Sequence, residues 1–108
     1  MDGISEVSDA SFDAQVLQAP QPVLVDFWAP HCSACRALRP TVDEIAREYA
    51  GQLKVVAMNT DENPNAAARY GVRAIPNLLL FHRGTVQTQI IGNVPKMKLV
   101  KAVEQVLG

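Results

Sequence analysis

Cys32 and Cys35 are the only cysteines in the 108-residue chain, and they frame Ser33 and Ala34 as a Cys-x-x-Cys pair. Two thiols at that spacing can exchange disulfides: one thiolate attacks a target sulfur, and the second thiol then displaces the mixed disulfide. The pair lies between a β-rich apolar run and the first turn of an amphipathic helix. A helix start carries unpaired backbone N–H groups and the positive end of the helix dipole, and both stabilise a thiolate. Cys32 is therefore expected to attack, and Cys35, three residues on, to resolve.

Asp26 is the third residue with chemistry to do. A carboxylate in the middle of an apolar strand is costly unless it is paired or its pKa is raised. Such a group suits proton transfer to and from a thiol; an aspartate facing solvent at a strand end is the bland alternative. Replacing Asp26 by Ala is expected to raise stability near pH 7 and to slow turnover.

Metal chemistry fits the sequence poorly. A structural zinc site needs four ligands, usually with a second Cys-x-x-Cys or a spaced histidine pair. The chain adds only His31 and His82, and His31 is too close to Cys32 to chelate comfortably beside it. No metal, and no cofactor beyond the cysteine pair itself, is expected. Two inert buried cysteines are the other reading; a Cys-x-x-Cys beside a βαβ pattern in an intracellular protein favours a redox motif.

Several elements must position these residues. Residues 22–28 and 53–58 are near-continuous β-rich runs, as expected of strands buried on both faces. Residues 77–81 run through a Gly84 turn into alternating residues 85–91, a β-hairpin ending in an edge strand. Leu38, Val42, Ile45, Ala46 and Tyr49 form a helical stripe ended by Gly51, with a kink or frayed first turn expected at Pro40. Asn63-Pro64 opens a short Ala-rich helix that stops at Gly71. Leu99, Val103, Val106 and Leu107 mark a C-terminal helix, and residues 8–17 a weaker first one. A short first strand is expected within residues 4–7. Strands alternating with helices predict an α/β sandwich.

Composition sets the outer bounds. Ten Lys+Arg against eleven Asp+Glu leave a net charge of -1, which argues against nucleic acid or an anionic membrane as partner. A hydrophobic fraction of 48% with 19% charged residues is that of a globular protein. The length predicts a single domain over residues 1–108, large enough to fold without structural disulfides. No apolar run approaches the roughly 20 residues that span a bilayer. The first six residues lack the basic and apolar regions of a signal peptide, so a cytoplasmic location is expected.

Read together, the motifs resemble the thioredoxin family over essentially the full chain. The resemblance rests on Val25-Asp26-Phe27-Trp28-Ala29 leading into Cys32-x-x-Cys35, then Pro40 and Asp43-Glu44-Ile45-Ala46. It continues through Asn59-x-Asp61-x-Asn63-Pro64, Tyr70-Gly71-Val72-Arg73-Ala74-Ile75-Pro76, Leu80-Phe81, Gly84 and Gly92. It implies the thioredoxin fold, a central mixed five-stranded sheet flanked by four helices, with a cis Ile75-Pro76 peptide facing the cysteines. Trp28, Ala74, Ile75, Pro76 and Gly92 would form the rim that receives a substrate segment, bordered by His31, Ser33 and Ala34. Trp28 and Ile75 as plain core residues are the alternative. The resemblance further implies disulfide-containing protein substrates, a thioredoxin reductase as electron donor, a monomer, and Asp26 moving protons to and from Cys35.

Three positions depart from the family pattern. Ser33-Ala34 replaces the usual Gly-Pro, and Ala34 restores an N–H near the Cys32 sulfur while Ser33 adds a hydroxyl. Both favour the thiolate, so the reduction potential is expected to be less negative than the roughly -270 mV usual in the family. His31 stands where the family usually has Trp and would favour the thiolate if protonated; a solvated side chain of little effect is the alternative. Ala57 occupies the place where many members carry a lysine near the buried aspartate, so Asp26 is expected to lack that cationic partner.

The leading function is that of a protein-disulfide reductase. With a higher potential the same residues could serve as an oxidase or isomerase. A non-catalytic binding subunit or chaperone on the same fold is the alternative from another class, and a full set of Asp26, Trp28, Cys32, Cys35 and Pro76 argues against it.

Overall fold

The run of Val, Leu and Phe around Asp26 forms the central strand of a five-stranded mixed sheet in a computed structural model that describes residues 4–108. The leader-free reading of the N-terminus falls partly on residues 1–3, outside the described residues. The strands are β1 (Ile4–Glu6), β2 (Val23–Trp28), β3 (Lys54–Asn59), β4 (Asn77–His82) and β5 (Thr85–Ile91). Their order is β1-β3-β2-β4-β5. β1, β3 and β2 are parallel, whereas β4 and β5 join antiparallel. β2 is buried from Val23 to Phe27, which is why its sequence shows no polar alternation apart from Asp26.

Successive side chains on a strand point to opposite faces, and the two faces of β2 meet different partners. Leu24, Asp26 and Trp28 face one way; Leu24 packs with Leu38, Val42 and Ile45 of α1 (Ser33–Glu48) and with Leu99 and Val103 of α3 (Lys96–Leu107). Val23, Val25 and Phe27 face Phe12, Val16 and the Ala66-Ala67 pair of α2 (Pro64–Arg69). On that second face Phe12, Tyr70 and Phe81 meet edge to face or tilted, with centroids 5.2–5.7 Å apart, the geometry that aromatic quadrupoles favour.

The hairpin turns on Arg83 and Gly84, both at positive φ (54° and 79°), between the paired residues His82 and Thr85. Two central residues at positive φ match the twist of the flanking strands, and glycine takes that conformation without a Cβ penalty.

Two local expectations are corrected. The helix expected over residues 8–17 is a single π-helical turn, Asp13–Leu17. Ser8 and Ser11 explain the loss, because the Ser8 N–H donates to Ser11 Oγ at 2.9 Å and Ser11 N–H to the Ser8 carbonyl at 3.1 Å. Such local bonds compete with helix formation. Asp9 is also committed elsewhere: its carboxylate accepts from the N–H groups of Asn65 (3.0 Å) and Ala66 (2.9 Å), capping α2 from 56 and 57 residues away in sequence. The second concerns Pro40: of the kink or frayed first turn expected there, the frayed turn is absent. α1 begins at Ser33 and runs unbroken through Pro40, whose ring is exposed. Its missing N–H leaves the Arg36 carbonyl without the usual helical donor.

Candidate active site at the start of α1

α1 begins where β2 leaves the sheet, and that junction builds the site. Cys32 is the N-cap residue of α1, in extended conformation, and its Sγ accepts a hydrogen bond from the Cys35 N–H at 3.1 Å. The loop before it is tied down: the Cys32 N–H donates to the Ala29 carbonyl (3.1 Å), and Arg36 Nη1 donates to the Pro30 carbonyl (2.7 Å). Cys32 and Cys35 form a disulfide with Cα atoms 5.3 Å apart. Cys32 is half-buried, whereas Cys35 is only 4% exposed. One sulfur can therefore meet a large partner, and the other lies behind it. The donor bonded to Cys32 Sγ is the N–H of Cys35, one residue beyond the Ala34 N–H expected near that sulfur.

Strand register brings the proposed rim residues to the same end of the sheet. Phe27 pairs with Asn77 and Asn77 with Ile91, so Trp28, Pro76 and Gly92 follow one another across neighbouring strand ends. The Gly92 N–H donates to the Pro76 carbonyl at 2.8 Å, with Gly92 at φ 94°. Ile75-Pro76 is a cis peptide. Ile75 is half-buried against the Phe12 side of the core, and Ala74 is exposed, as is Ser33; Ala34 is half-buried. Trp28 packs against the opposite core layer. Its carbonyl accepts from the Thr60 N–H (2.8 Å) and hydroxyl (3.1 Å). The indole N–H has no hydrogen-bond partner among the described residues.

His31 is 72% exposed, and its Nε2 lies 3.5 Å from Asp61 Oδ2, itself 52% exposed. The imidazole is thus a solvated side chain engaged with Asp61, and exposed pairs of this kind contribute little energy.

Asp26 is 1% exposed, and burial pushes its carboxyl up to about 6 from an ordinary 3.8. The positive charge of Arg39 pulls the other way, while Glu6 and Asp43 add to the rise. Ala57 supplies no cation to Asp26, yet Asp26 has a cationic neighbour that the sequence reading did not name. Ala57 does pair with Asp26 across the sheet, but Arg39 reaches in from α1 with Nε 3.4 Å from Asp26 Oδ2. Arg39 escaped the sequence reading, although a signal existed. It sits four residues after Cys35 on the inward stripe Cys35, Arg39, Val42, Ala46, so it faces the same strand as its buried neighbours. A cleft of about 210 Å³ opens beside it, lined by Glu6, Trp28, Cys35, Arg36 and Arg39. Among the described residues no group of three or more His, Cys, Asp or Glu side chains could hold a metal ion.

A half-buried sulfur capping a helix, bonded to a buried sulfur one turn inside it, defines a dithiol–disulfide exchange protein. Comparison with known proteins leads to the same chemistry. Residues 3–105 match the thioredoxin family. The chain is 50% identical to a thioredoxin of Synechocystis sp. over 99% of its own length and 100% of the relative's. It is 48% identical to thioredoxin 1 of Nostoc sp., covering 97% and 98% of the two chains. An M-type chloroplastic thioredoxin of Chlamydomonas reinhardtii is 52% identical, over 94% of this chain and 73% of the relative. The chain belongs to the thioredoxin family, and it is a thiol–disulfide oxidoreductase.

Proposed function

We propose that the chain, as one domain over residues 1–108, reduces disulfides in proteins with Cys32 as the attacking sulfur. The observation that carries this reading is the N-cap position of Cys32, whose sulfur already accepts a backbone N–H. In the reduced protein the Cys32 thiolate attacks a substrate disulfide, forming a Cys32–substrate bond and releasing one substrate thiolate, which takes a proton from water. Cys35 gives its proton to the Asp26 carboxylate, and its sulfur attacks Cys32. The second substrate thiolate leaves and is protonated. Two electrons have then passed to the substrate, and the Cys32–Cys35 disulfide remains.

Trp28, Ala74, Ile75, Pro76 and Gly92, bordered by His31, Ser33 and Ala34, are assigned to the surface that receives the substrate segment. No cofactor beyond the cysteine pair is needed, because both electrons come from the two sulfurs. A thioredoxin reductase is the electron donor assigned to this cycle, and the working unit is a monomer. Balanced charge supports a chain that engages neither nucleic acid nor membrane. No described helix is long and apolar enough to cross a membrane. A cytoplasmic location is proposed, alongside relatives named as chloroplastic.

Dithiothreitol-driven reduction of insulin tests the function. The native chain is expected to speed the reaction, and Cys35→Ser to abolish turnover. Equal activity in both would point instead to a binding role in which the cysteines are dispensable.

A further inference from the structure

We propose that Arg39 is the positioning residue that keeps Asp26 ready to take the Cys35 proton, supplying from α1 the positive charge that β3 lacks at Ala57. The inference rests on the reading, given above, that Asp26 is the proton acceptor.

The surroundings of Asp26 leave this role to one side chain. Its neighbours across the sheet are Ala57 on β3 and Leu78 on β4, neither of which carries charge. Beyond Ala57, β1 contributes Glu6, a like charge. α1 contributes Asp43, another like charge, and Arg39. Arg39 is thus the one cation acting on a buried carboxylate that faces two further acids among the described residues. Its Nε stands 3.4 Å from Asp26 Oδ2, and its side chain is only 22% exposed, so solvent screens the pair weakly.

Arg39 also borders the cleft that Cys35 lines. Its guanidinium carbon lies 5.5 Å from the centre of the Trp28 ring, a cation–π contact that steadies the side chain. Together they line the cleft onto which Cys35 opens. The Nε of Arg39 has no aligned hydrogen bond, and neither has Asp26 Oδ1. The pair is therefore held by charge and packing, which leaves Oδ1 free to accept. In the step concerned the Cys35 S–H bond breaks, its electron pair stays on sulfur, and the proton goes to the Asp26 carboxylate. An ionised Asp26 is required, and a cation beside it lowers the pH at which that form prevails.

The test is the pH profile of single-turnover insulin reduction by the reduced full chain, together with carboxyl NMR titration of Asp26. Arg39→Gln keeps an N–H donor at about the position of Nε and removes the charge; it should move the Asp26 inflection upward by about one pH unit or more. Arg39→Lys should leave the inflection near its native position. Arg39→Gln combined with Ala57→Lys, which returns a cation from β3, should bring it back down. A rate that falls equally at every pH in Arg39→Gln, with the inflection unmoved, would overturn the proposal and mark Arg39 as merely structural. Asp26→Asn separates the two claims. Loss of the inflection in that variant upholds Asp26 as acceptor, whereas a native inflection would overturn both that reading and the role of Arg39.

Discussion

The Cys35 N–H donates to Cys32 Sγ at 3.1 Å, so the first turn of α1 solvates one sulfur with the backbone of the residue that carries the other. The bond would strengthen when Cys32 is a thiolate, because hydrogen bonds to an ionised acceptor are stronger than neutral ones. In the reduced protein, Cys32 should be alkylated by iodoacetamide at pH values well below the roughly 8.5 of a free thiol. Cys35, only 4% exposed, should react roughly tenfold or more slowly. Mass mapping of the modified peptides over a pH series measures both. Equal rates at the two positions would contradict the assignment of roles.

The two residues between the cysteines should tune the direction of electron flow. Ala34 has an N–H in the first turn, where helical geometry provides no acceptor within the helix, and proline there would have none. Ser33 is exposed and adds a hydroxyl beside Cys32. The native chain should therefore have a potential less negative than roughly -270 mV, and Ser33→Gly with Ala34→Pro should lower it toward that figure. Equilibration with a glutathione redox buffer reads both values. A native potential at or below roughly -270 mV would contradict the expectation.

Asp26 should make stability depend on pH in a particular window. Its carboxyl holds its proton up to about pH 6 in the folded chain against 3.8 when solvated, so the folded state binds the proton more tightly. Below pH 3.8 the group is neutral in both states; as pH rises through 6, the stability associated with the neutral form is lost. Asp26→Asn should thus gain about 2 kcal/mol at pH 8, less than the full linkage value because Arg39 loses its partner. Near pH 4 the gain should be small. Urea midpoints of the oxidised protein at the two pH values test this, and an equal gain at both would rule out charge burial as the cause.

Asp9 should matter for the fold and not for the chemistry. Its carboxylate accepts the N–H groups of Asn65 and Ala66 at the start of α2. Asp9→Ala should cost about 1 kcal/mol, the usual loss for a removed helix cap. The reduction potential should stay unchanged. A potential that moved with the unfolding midpoint would tie α2 to the active site.

Much of this molecule is legible in the sequence because its signals are local. The apolar run around Asp26, the stripe from Leu38 to Tyr49 and the Gly84 hairpin each declare their element through period or turn chemistry. The Cys-x-x-Cys pair and its helix start can be read in the same way. What escaped depends on which side chains meet in space. Arg39 reads as one more charged residue on a helix until β2 places Asp26 beneath it. That the Trp28 indole N–H has no partner among the described residues is likewise a matter of packing that no local signal carries. Ser8 and Ser11 turned a weak helix into a single turn through side-chain bonds that periodicity does not register.

Trapping of a substrate tests the central claim most directly. Reduced Cys35→Ser, mixed with a disulfide-containing protein, should accumulate one covalent adduct that dithiothreitol releases and that maps to Cys32. Cys32→Ser should form none. An adduct through Cys35 in the Cys32→Ser variant, or no adduct in Cys35→Ser while the native chain reduces the same substrate, would contradict the mechanism.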